Sequence, residues 1–277
     1  MAISNFIPTV WSEMLHKELA KKYVAVANCN RDFDGDIKEL GSQVKICGVM
    51  PVNVFQYSKN IDMDAPQILS DTGTNVLINR ATAFNFAVDD IDRVQALPSL
   101  SQAALSNAAD ALANDADQYV FSLYPSISGT RCVTDEAATY ETIIDDIIKA
   151  RELLYDGNVS DASEIVIEVS PAVASLILKA KIIFGTSDNA STLSNGYIGS
   201  ICGCSVYVSK NVVVDEDNFH KCFVRTKRAI AFVDQFTEIC AYRPESRFAD
   251  AVKGLHLYGG KIIYPNEIAL LDIALPE

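Results

Sequence analysis

The residues best suited to metal chemistry are two pairs of soft ligands late in the chain, Cys202-x-Cys204 and His220-x-Cys222. Both pairs lie among strand-forming residue types, and side chains two apart on a strand point to the same face. On two paired strands these side chains would converge, and Cys and His are the ligands of structural zinc sites. Such sites usually hold their ligands in turns, and Cys is a common buried small hydrophobe. We therefore favour the core interpretation over the zinc site.

Nucleophilic and phosphate-binding chemistry have weaker signals. The three histidines, His16, His220 and His256, have no nucleophile motif near them, and we interpret them as isolated surface or interface residues. The glycine-rich residues 196–203 lack the Gly-Lys-Ser/Thr ending of a phosphate loop and lead into strand-forming residues. They predict a mobile loop followed by a tight turn. We predict no catalytic residue, no cofactor and no metal, and therefore no enzyme.

Charged groups give no sign of a pocket. The acid pairs Asp145-Asp146 and Asp115/Asp117 lie in predicted helices, and we interpret them as solvated faces. One basic cluster stands out later in the chain. It comprises Arg225, Lys227 and Arg228 with Arg243 and Arg247. These side chains would either pair across subunits with the acidic helices or form ordinary surface charge.

Composition excludes several classes of protein. The 277 residues are 49% hydrophobic, which is too apolar for a disordered chain, and the formal net charge is −13. A non-specific nucleic-acid binder needs the opposite sign. The seven cysteines lack the spacing of a disulfide framework, and the first residues lack a basic signal-peptide region. We expect a soluble protein that stays in a cytoplasm and does not enter a membrane.

Periodicity predicts two long elements early in the chain. Residues 41–88 alternate with period two on an ascending and a descending side, which indicates one long hairpin. Its far part is apolar and a two-stranded ribbon is marginal by itself in water, so we expect a neighbouring subunit to cover it. Residues 99–124 carry an apolar stripe at three/four spacing, which predicts a spine helix that Pro125 stops.

The remaining segments segregate helices from strands. A second helix is predicted over residues 140–155 with Gly157 as its C-terminal stop, and a strand over 164–169 leads into a helix that begins at Pro171. Strands are predicted over 202–208, 219–224, 230–236, 239–243 and within 254–273. The fold class is therefore α+β.

The order of these parts, together with several short sequence segments, resembles the major capsid protein of tailed bacteriophages. The matching segments of the first half are Ala2-Ile3-Ser4-Asn5-Phe6-Ile7-Pro8 with Trp11, Asn30-Arg31-Asp32-Phe33 with Gly35-Asp36-Ile37, Phe84-Asn85-Phe86 with Val88-Asp89-Asp90, and Asp117-Gln118-Tyr119. Those of the second half are Val169-Ser170-Pro171, residues 196–199, Gly203 with residues 206–209, residues 228–232, Tyr242-Arg243-Pro244-Glu245, Phe248-Ala249-Asp250 and residues 254–259. The matches cover nearly the whole chain in order.

The resemblance implies the HK-ninety-seven-type shell fold, with four parts. They are an N-terminal arm over residues 1–40, an extended hairpin loop over 41–88, a peripheral domain over 89–130 and 233–277 that holds the spine helix, and an axial domain over 131–232. It also implies a structural function without an active site. Copies of the chain would assemble as hexamers and pentamers into an icosahedral shell around packaged double-stranded DNA, which they hold without specific binding.

The resemblance also implies partners and a location. We expect portal and scaffolding proteins, with decoration proteins as a further option, and assembly in the bacterial host cytoplasm into a virion capsid. The expected subunit interface comprises Val52, Phe55, Tyr57, Ile61, Met63, Ile68 and Leu69 of the hairpin, with Arg243 and Arg247. The acidic residues 89–124, with net charge −5, would face the lumen and let DNA slide. The alternatives are an encapsulin-like nanocompartment shell and, from another class, a small-oligomer cytoplasmic enzyme or binding protein.

Overall fold

The computed structural model describes most of the chain. The described residues are 15, 17–32, 41–49, 71–89, 99–127, 131–133, 137–157, 159, 161–183, 196–246 and 249–275. A helical segment over residues 17–22 precedes helices α1 (Ser99–Phe121), α2 (Ile143–Asp156) and α3 (Pro171–Ile183). The strands are β1 (Gln43–Val49), β2 (Asp71–Leu77), β3 (Arg80–Asp89), β4 (Arg131–Val133), β5 (Ile165–Val169), β6 (Tyr197–Ile201), β7 (Cys204–Val208), β8 (Phe219–Thr226), β9 (Ile230–Tyr242), β10 (Ala249–Ile262) and β11 (Ile268–Ala274).

These strands form separate sheets, which confirms the α+β class. β1 and β2 form a two-stranded ribbon, and β10 lies between β3 and β9 in a three-stranded antiparallel sheet. The third sheet has six strands in the order β4-β11-β8-β5-β7-β6 and is mixed, because β11 pairs with β4 and β5 pairs with β7 in parallel. Among the helices of the described residues, none is long and apolar enough to cross a membrane.

The spine helix lies where the periodicity predicts it. α1 buries Leu105, Leu112, Ala116 and Val120 at the spacing of an amphipathic helix. Its 23 residues extend over about 35 Å at 1.5 Å per residue. The helix ends at Phe121, before the short 3-10 turn that contains Pro125. Because this face packs into the main core, α1 links the three-stranded sheet to the rest of the molecule.

Gly157 directly follows the last residue of α2, so the predicted C-terminal stop is confirmed. Its φ of −75° is an ordinary value that any residue could adopt. A Cβ at this position would collide with the backbone oxygen of Asn266. The glycine therefore permits the close approach of the segment before β11.

The long hairpin is shorter than the alternation of residues 41–88 predicts. The ladder of β1 and β2 pairs Gln43 with Leu77 and Val49 with Asp71. The prediction that the descending side continues through residues 80–88 is wrong, because β3 pairs with β10 instead. Period-two alternation shows that a segment is a strand with two different faces, and it carries no information about which strand lies beside it.

The base of the hairpin, defined as β1 and β2, packs against its own subunit. Val44, Ile46, Val76 and Ile78 form a cluster with residues of β9 and β10 such as Val233. The opposite face of the ribbon is exposed and mostly polar. The base is therefore covered by its own subunit. The expected contact with a neighbouring subunit concerns only the hairpin residues beyond the base.

Gly259 of β10 lies at the contact between the hairpin base and the three-stranded sheet, so its substitution tests that contact. A Cβ at Gly259 would collide with the backbone oxygen of Leu77, and backbone cannot move aside as a flexible side chain can. We expect Gly259→Ala to lower the free energy of unfolding by about 1–3 kcal/mol in urea denaturation. The neighbouring Gly260→Ala is the comparison and should lose less stability, because its Cβ would meet the backbone oxygen of Ala231 at 3.3 Å, a tight contact that a small shift relieves. Equal stability of the two variants would contradict the contact.

The two predicted strands 230–236 and 239–243 are one continuous strand, β9. The break in their pattern coincides with a bulge in β9 itself, because Ile239 pairs with Gly254 and Phe236 with His256, which leaves two residues of β9 opposite one of β10. A bulge of this kind changes which face successive side chains occupy. The break in the sequence pattern therefore marks this bulge, and β9 continues through it.

Candidate functional site

A network of buried polar groups joins residues 15–32, within the predicted arm, to the rest of the molecule. Arg225 and Glu168 are both fully buried at its centre. Arg225 lies on β8 opposite Val166 of β5, and Glu168 lies two residues farther along β5 on the same face. The guanidinium donates to both carboxylate oxygens of Glu168, from Nε at 3.0 Å and from one terminal nitrogen at 2.8 Å. The strand register therefore produces a two-point ion pair.

The remaining donors of Arg225 hold the arm. They reach the backbone oxygen of Asn28 at 2.6 Å and that of Ala25 at 3.0 Å. The side-chain amide of Asn28 in turn donates to Glu168 at 3.2 Å. Burial raises the pKa of Glu168, although the charge of Arg225 opposes the shift. Both charged groups lie away from water. Their hydrogen bonds are therefore complete only while residues 25–28 stay in place.

Asp117 of α1 fixes the same segment from the other side. Its two carboxylate oxygens each accept a backbone N–H, from Val24 and from Val26, at 3.0 Å. Asp117 is 2% exposed, so the prediction of a solvated acidic face is wrong for this residue. Burial raises its pKa to about 6, although the backbone donors act to lower it. The carboxylate serves as an anchor for the 3-10 turn Val26–Asn28.

The pKa of Asp117 gives a pH-dependent prediction. Its folded pKa of about 6 lies above the ordinary 3.8, so Asp117 contributes most stability below the unfolded value and loses it as pH rises through 6. We expect the stability deficit of Asp117→Asn relative to wild type to be larger at pH 4.5 than at pH 7.5. The expected difference is about 2 kcal/mol in urea denaturation. A deficit that does not change with pH, or that grows toward pH 7.5, would contradict this.

Asp234 of β9 is a third anchor for the arm. It accepts the hydroxyl of Tyr23 at 3.0 Å and the guanidinium of Arg31 at 2.7 Å, and Nε2 of His256 lies 3.3 Å away. Burial acts to raise the pKa of Asp234, but the hydrogen bond from His256 and the charge of Arg31 outweigh it, and the net shift is downward. The interpretation of His256 as an isolated surface or interface residue is wrong, because it is fully buried beside this carboxylate.

Three more acids of the helices, Asp110, Asp115 and Asp146, also have partners within the chain. Asp115 accepts hydrogen bonds from Thr82 and Tyr258, and Asp110 forms an ion pair with Lys22 at 2.6 Å. On α2, Asp146 is 7% exposed and pairs with Lys149, so its predicted solvated position is wrong as well. Three of the acids counted toward the lumen-facing charge thus stabilise the subunit itself, namely Asp110, Asp115 and Asp117.

The predicted metal ligands do not converge. β5 lies between β7, which carries Cys204, and β8, which carries His220 and Cys222, so the assumption of two paired strands is wrong. Cys202 lies exposed in the turn after β6. Burial raises the pKa of Cys222 to about 12, which keeps it a thiol. No group of three or more His, Cys, Asp or Glu suited to a metal exists among the described residues.

The glycine-rich segment makes a tight hairpin turn between β6 and β7. Cys202 and Gly203 both have positive φ, 53° and 84°, as the two central residues of a type I′ turn require. The tight turn that the sequence predicts is therefore present, but the mobile loop predicted before it is wrong for residues 197–201, which form β6. Residues 184–195 lie outside the described residues.

The predicted basic cluster is divided by the fold. Arg225 belongs to the buried network, so its interpretation as surface or intersubunit charge is wrong. Arg228 forms an ion pair with Glu267 at 2.6 Å, and Arg243 is exposed just after β9. The other predicted interface residues, Val52, Phe55, Tyr57, Ile61, Met63, Ile68, Leu69 and Arg247, lie outside the described residues.

Comparison with solved structures identifies the family. A structure from Mycobacterium phage Che8 is 30% identical, matches 98% of this chain and 98% of its own, and has a TM-score of 0.67. The chain belongs to the major capsid proteins of tailed bacteriophages. The capsid of Ralstonia phage GP4 shares the capsid fold at 10% identity, with 94% and 91% of the two chains matched and a TM-score of 0.68.

The fold extends beyond phages. An encapsulin complex from Synechococcus elongatus is 11% identical, with 87% of this chain and 85% of that chain matched and a TM-score of 0.61. At that identity the likeness shows the fold alone. No protein-family model and no curated protein matches the chain. The predicted resemblance to tailed-phage major capsid proteins is thus confirmed, and the capsid matches indicate a structural protein.

Proposed function

We propose that this capsid protein assembles as hexamers and pentamers into the icosahedral shell that encloses packaged phage DNA. The observation that carries the proposal is the match to the Che8 structure over 98% of both chains. The net charge of −13 favours DNA that slides inside the shell instead of adhering to its wall. Portal and scaffolding proteins, optional decoration proteins and assembly in the host cytoplasm belong to the same proposal.

The proposed parts of the subunit are the arm (1–40), the hairpin loop (41–88), the peripheral domain (89–130 and 233–277) and the axial domain (131–232). Within the hairpin loop, β3 pairs with β10 of the peripheral domain and not with the ribbon of β1 and β2. The anchoring of residues 15–32 supports an arm whose inner part is fixed to the body. We place the neighbouring-subunit contact on the hairpin residues beyond the base, with Arg243 and Arg247. The negative charge that residues 89–124 are proposed to present to the lumen now depends on Asp89, Asp90 and Asp92. The other three acids, Asp110, Asp115 and Asp117, bind partners within the subunit.

Assembly of the purified protein tests this function. The chain is concentrated at rising ionic strength, because salt screens the repulsion between subunits that each carry −13. Size-exclusion chromatography and negative-stain electron microscopy should show rings of five or six copies and closed shells. Dimers or tetramers at every concentration would instead favour an enzyme or binding protein.

The contents of particles purified from a phage-producing host distinguish a capsid from an encapsulin-like compartment. A capsid should contain double-stranded DNA that resists nuclease until the shell is disrupted. A particle that holds a protein cargo and no DNA would overturn the genome-packaging proposal and leave the shell function intact.

A further inference from the structure

A second buried ion pair lies on the six-stranded sheet, and the anchoring of the arm does not use it. Lys221 of β8 lies directly opposite Asp272 of β11 in the antiparallel ladder. Lys221 is 3% exposed and Asp272 is fully buried, and Nζ of the lysine lies 3.2 Å from Oδ1 of the aspartate. Because side chains directly opposite on paired strands share a face, the register holds the two groups together.

Two aromatic rings and a second carboxylate complete the surroundings of the Lys221 ammonium. The centre of the Phe219 ring lies 5.5 Å from Nζ, and that of the Tyr124 ring lies 6.0 Å from it. Oδ2 of Asp215 lies 3.3 Å from the same nitrogen, and this aspartate side chain is 45% exposed. One amine is therefore held between two carboxylates, of which one is away from water and the other reaches it.

The position of Lys221 and Asp272 gives condensation of the two side chains an advantage that it lacks in water. Burying two charges costs free energy, and their mutual attraction does not always repay it. An amide between the side chains carries no charge, so its burial avoids that cost. The strand register also makes the reaction intramolecular, which removes much of the entropic barrier to bringing the two groups together.

We propose that Lys221 and Asp272 join in an isopeptide bond within each subunit, with Asp215 as the group that moves the proton. A proton first passes from the ammonium to the Asp272 carboxylate, which leaves a neutral amine beside a neutral acid. Nζ then attacks the carboxyl carbon and forms the C–N bond. Asp215 takes the proton that the nitrogen loses and delivers it to the departing hydroxyl, so the C–O bond breaks, one water leaves and Asp215 is unchanged.

The bond ties the last strand of the sheet to β8. It closes residues 221–272 into a covalent loop that includes all of β9 and β10. β11 could then separate from β8 at this position only if a covalent bond broke. The inference concerns the subunit alone and does not depend on the proposed shell function.

Mass spectrometry of the denatured full-length protein tests the bond. The wild-type mass should lie below the sequence mass by one water, whereas Lys221→Arg cannot form this amide and should have its full sequence mass. Trypsin does not cleave after an acylated lysine, so a digest of wild type should contain one branched peptide that joins residues 211–225 to 262–277. A wild type with its full sequence mass and no branched peptide would overturn the proposal.

Asp215→Asn tests the proton transfer. It should lower the fraction of linked chains in protein harvested soon after synthesis by about tenfold or more, because a positioned acid–base group accelerates such a step by about 100-fold or more. Asp217→Asn is the matched control, since Asp217 is an exposed acid of the same turn between β7 and β8. It should be linked like wild type. Equal linkage in the two variants would overturn the role assigned to Asp215.

Discussion

Replacing Arg225 with methionine is expected to lower the free energy of unfolding of the subunit by about 3–5 kcal/mol. The substitution leaves Glu168 buried without its cation and removes the donors that hold Ala25 and Asn28. Urea denaturation of unassembled subunits at pH 7.5 measures the change.

A second measurement separates this mechanism from a simple packing defect. Burial already raises the pKa of Glu168, and loss of Arg225 removes the charge that opposes the shift. The variant's folded pKa would lie still farther above the unfolded value, so the missing stability is regained as pH falls. The deficit of Arg225→Met relative to wild type should therefore shrink between pH 7.5 and pH 5.

Arg228→Met is the matched control for this experiment. Arg228 also pairs with a glutamate, but its side chain is 63% exposed, and exposed ion pairs contribute at most about 1 kcal/mol. If the two arginine variants are equally stable, or if the deficit of Arg225→Met is the same at both pH values, the buried ion pair does not hold the arm as the structure indicates.

The second large effect concerns assembly. The double variant Phe55→Asp/Ile61→Asp is expected to abolish shells while the subunit remains folded. Burial of a Phe or Ile side chain contributes about 1.5–3 kcal/mol, and a charge in its place adds a desolvation cost. Because about 1.4 kcal/mol changes an equilibrium tenfold, the loss at every copy prevents the lattice from closing. Electron microscopy counts the particles.

Asn75→Asp controls for added negative charge on the same hairpin. Asn75 is exposed on the hairpin base and pairs across the ribbon with Lys45, so an acid is tolerated there. This variant should form shells at the wild-type yield. Intact particles from Phe55→Asp/Ile61→Asp would show that the hairpin beyond its base is not an intersubunit contact.

The local sequence pattern was sufficient to predict the helices and strands whose buried residues recur at regular spacing. The stripe of Leu105, Leu112 and Ala116 predicted the spine helix, and the alternation of Val44 and Ile46 predicted β1. Strand pairing was only partly predictable. The alternation in β3 is equally compatible with β2 or β10 as its neighbour, and only the tertiary fold selects β10.

The buried polar network could not be predicted from local sequence. Arg225 lies 57 positions from Glu168 and 197 positions from Asn28, and no local pattern links them. Asp117 has the sequence context of a helix surface and is buried only because residues 24–26 cover it. The one available signal was the presence of two charged residues, Lys221 and Arg225, in strand 219–226, which is buried almost throughout.

A cryo-electron microscopy map of particles assembled from this chain tests the central claim most directly. The account predicts a closed icosahedral shell in which residues 50–70 of each copy lie across an adjacent copy, while residues 15–32 stay bound to their own body through Arg225, Asp117 and Asp234. A monomer or small oligomer in which residues 50–70 pack against their own subunit would contradict it.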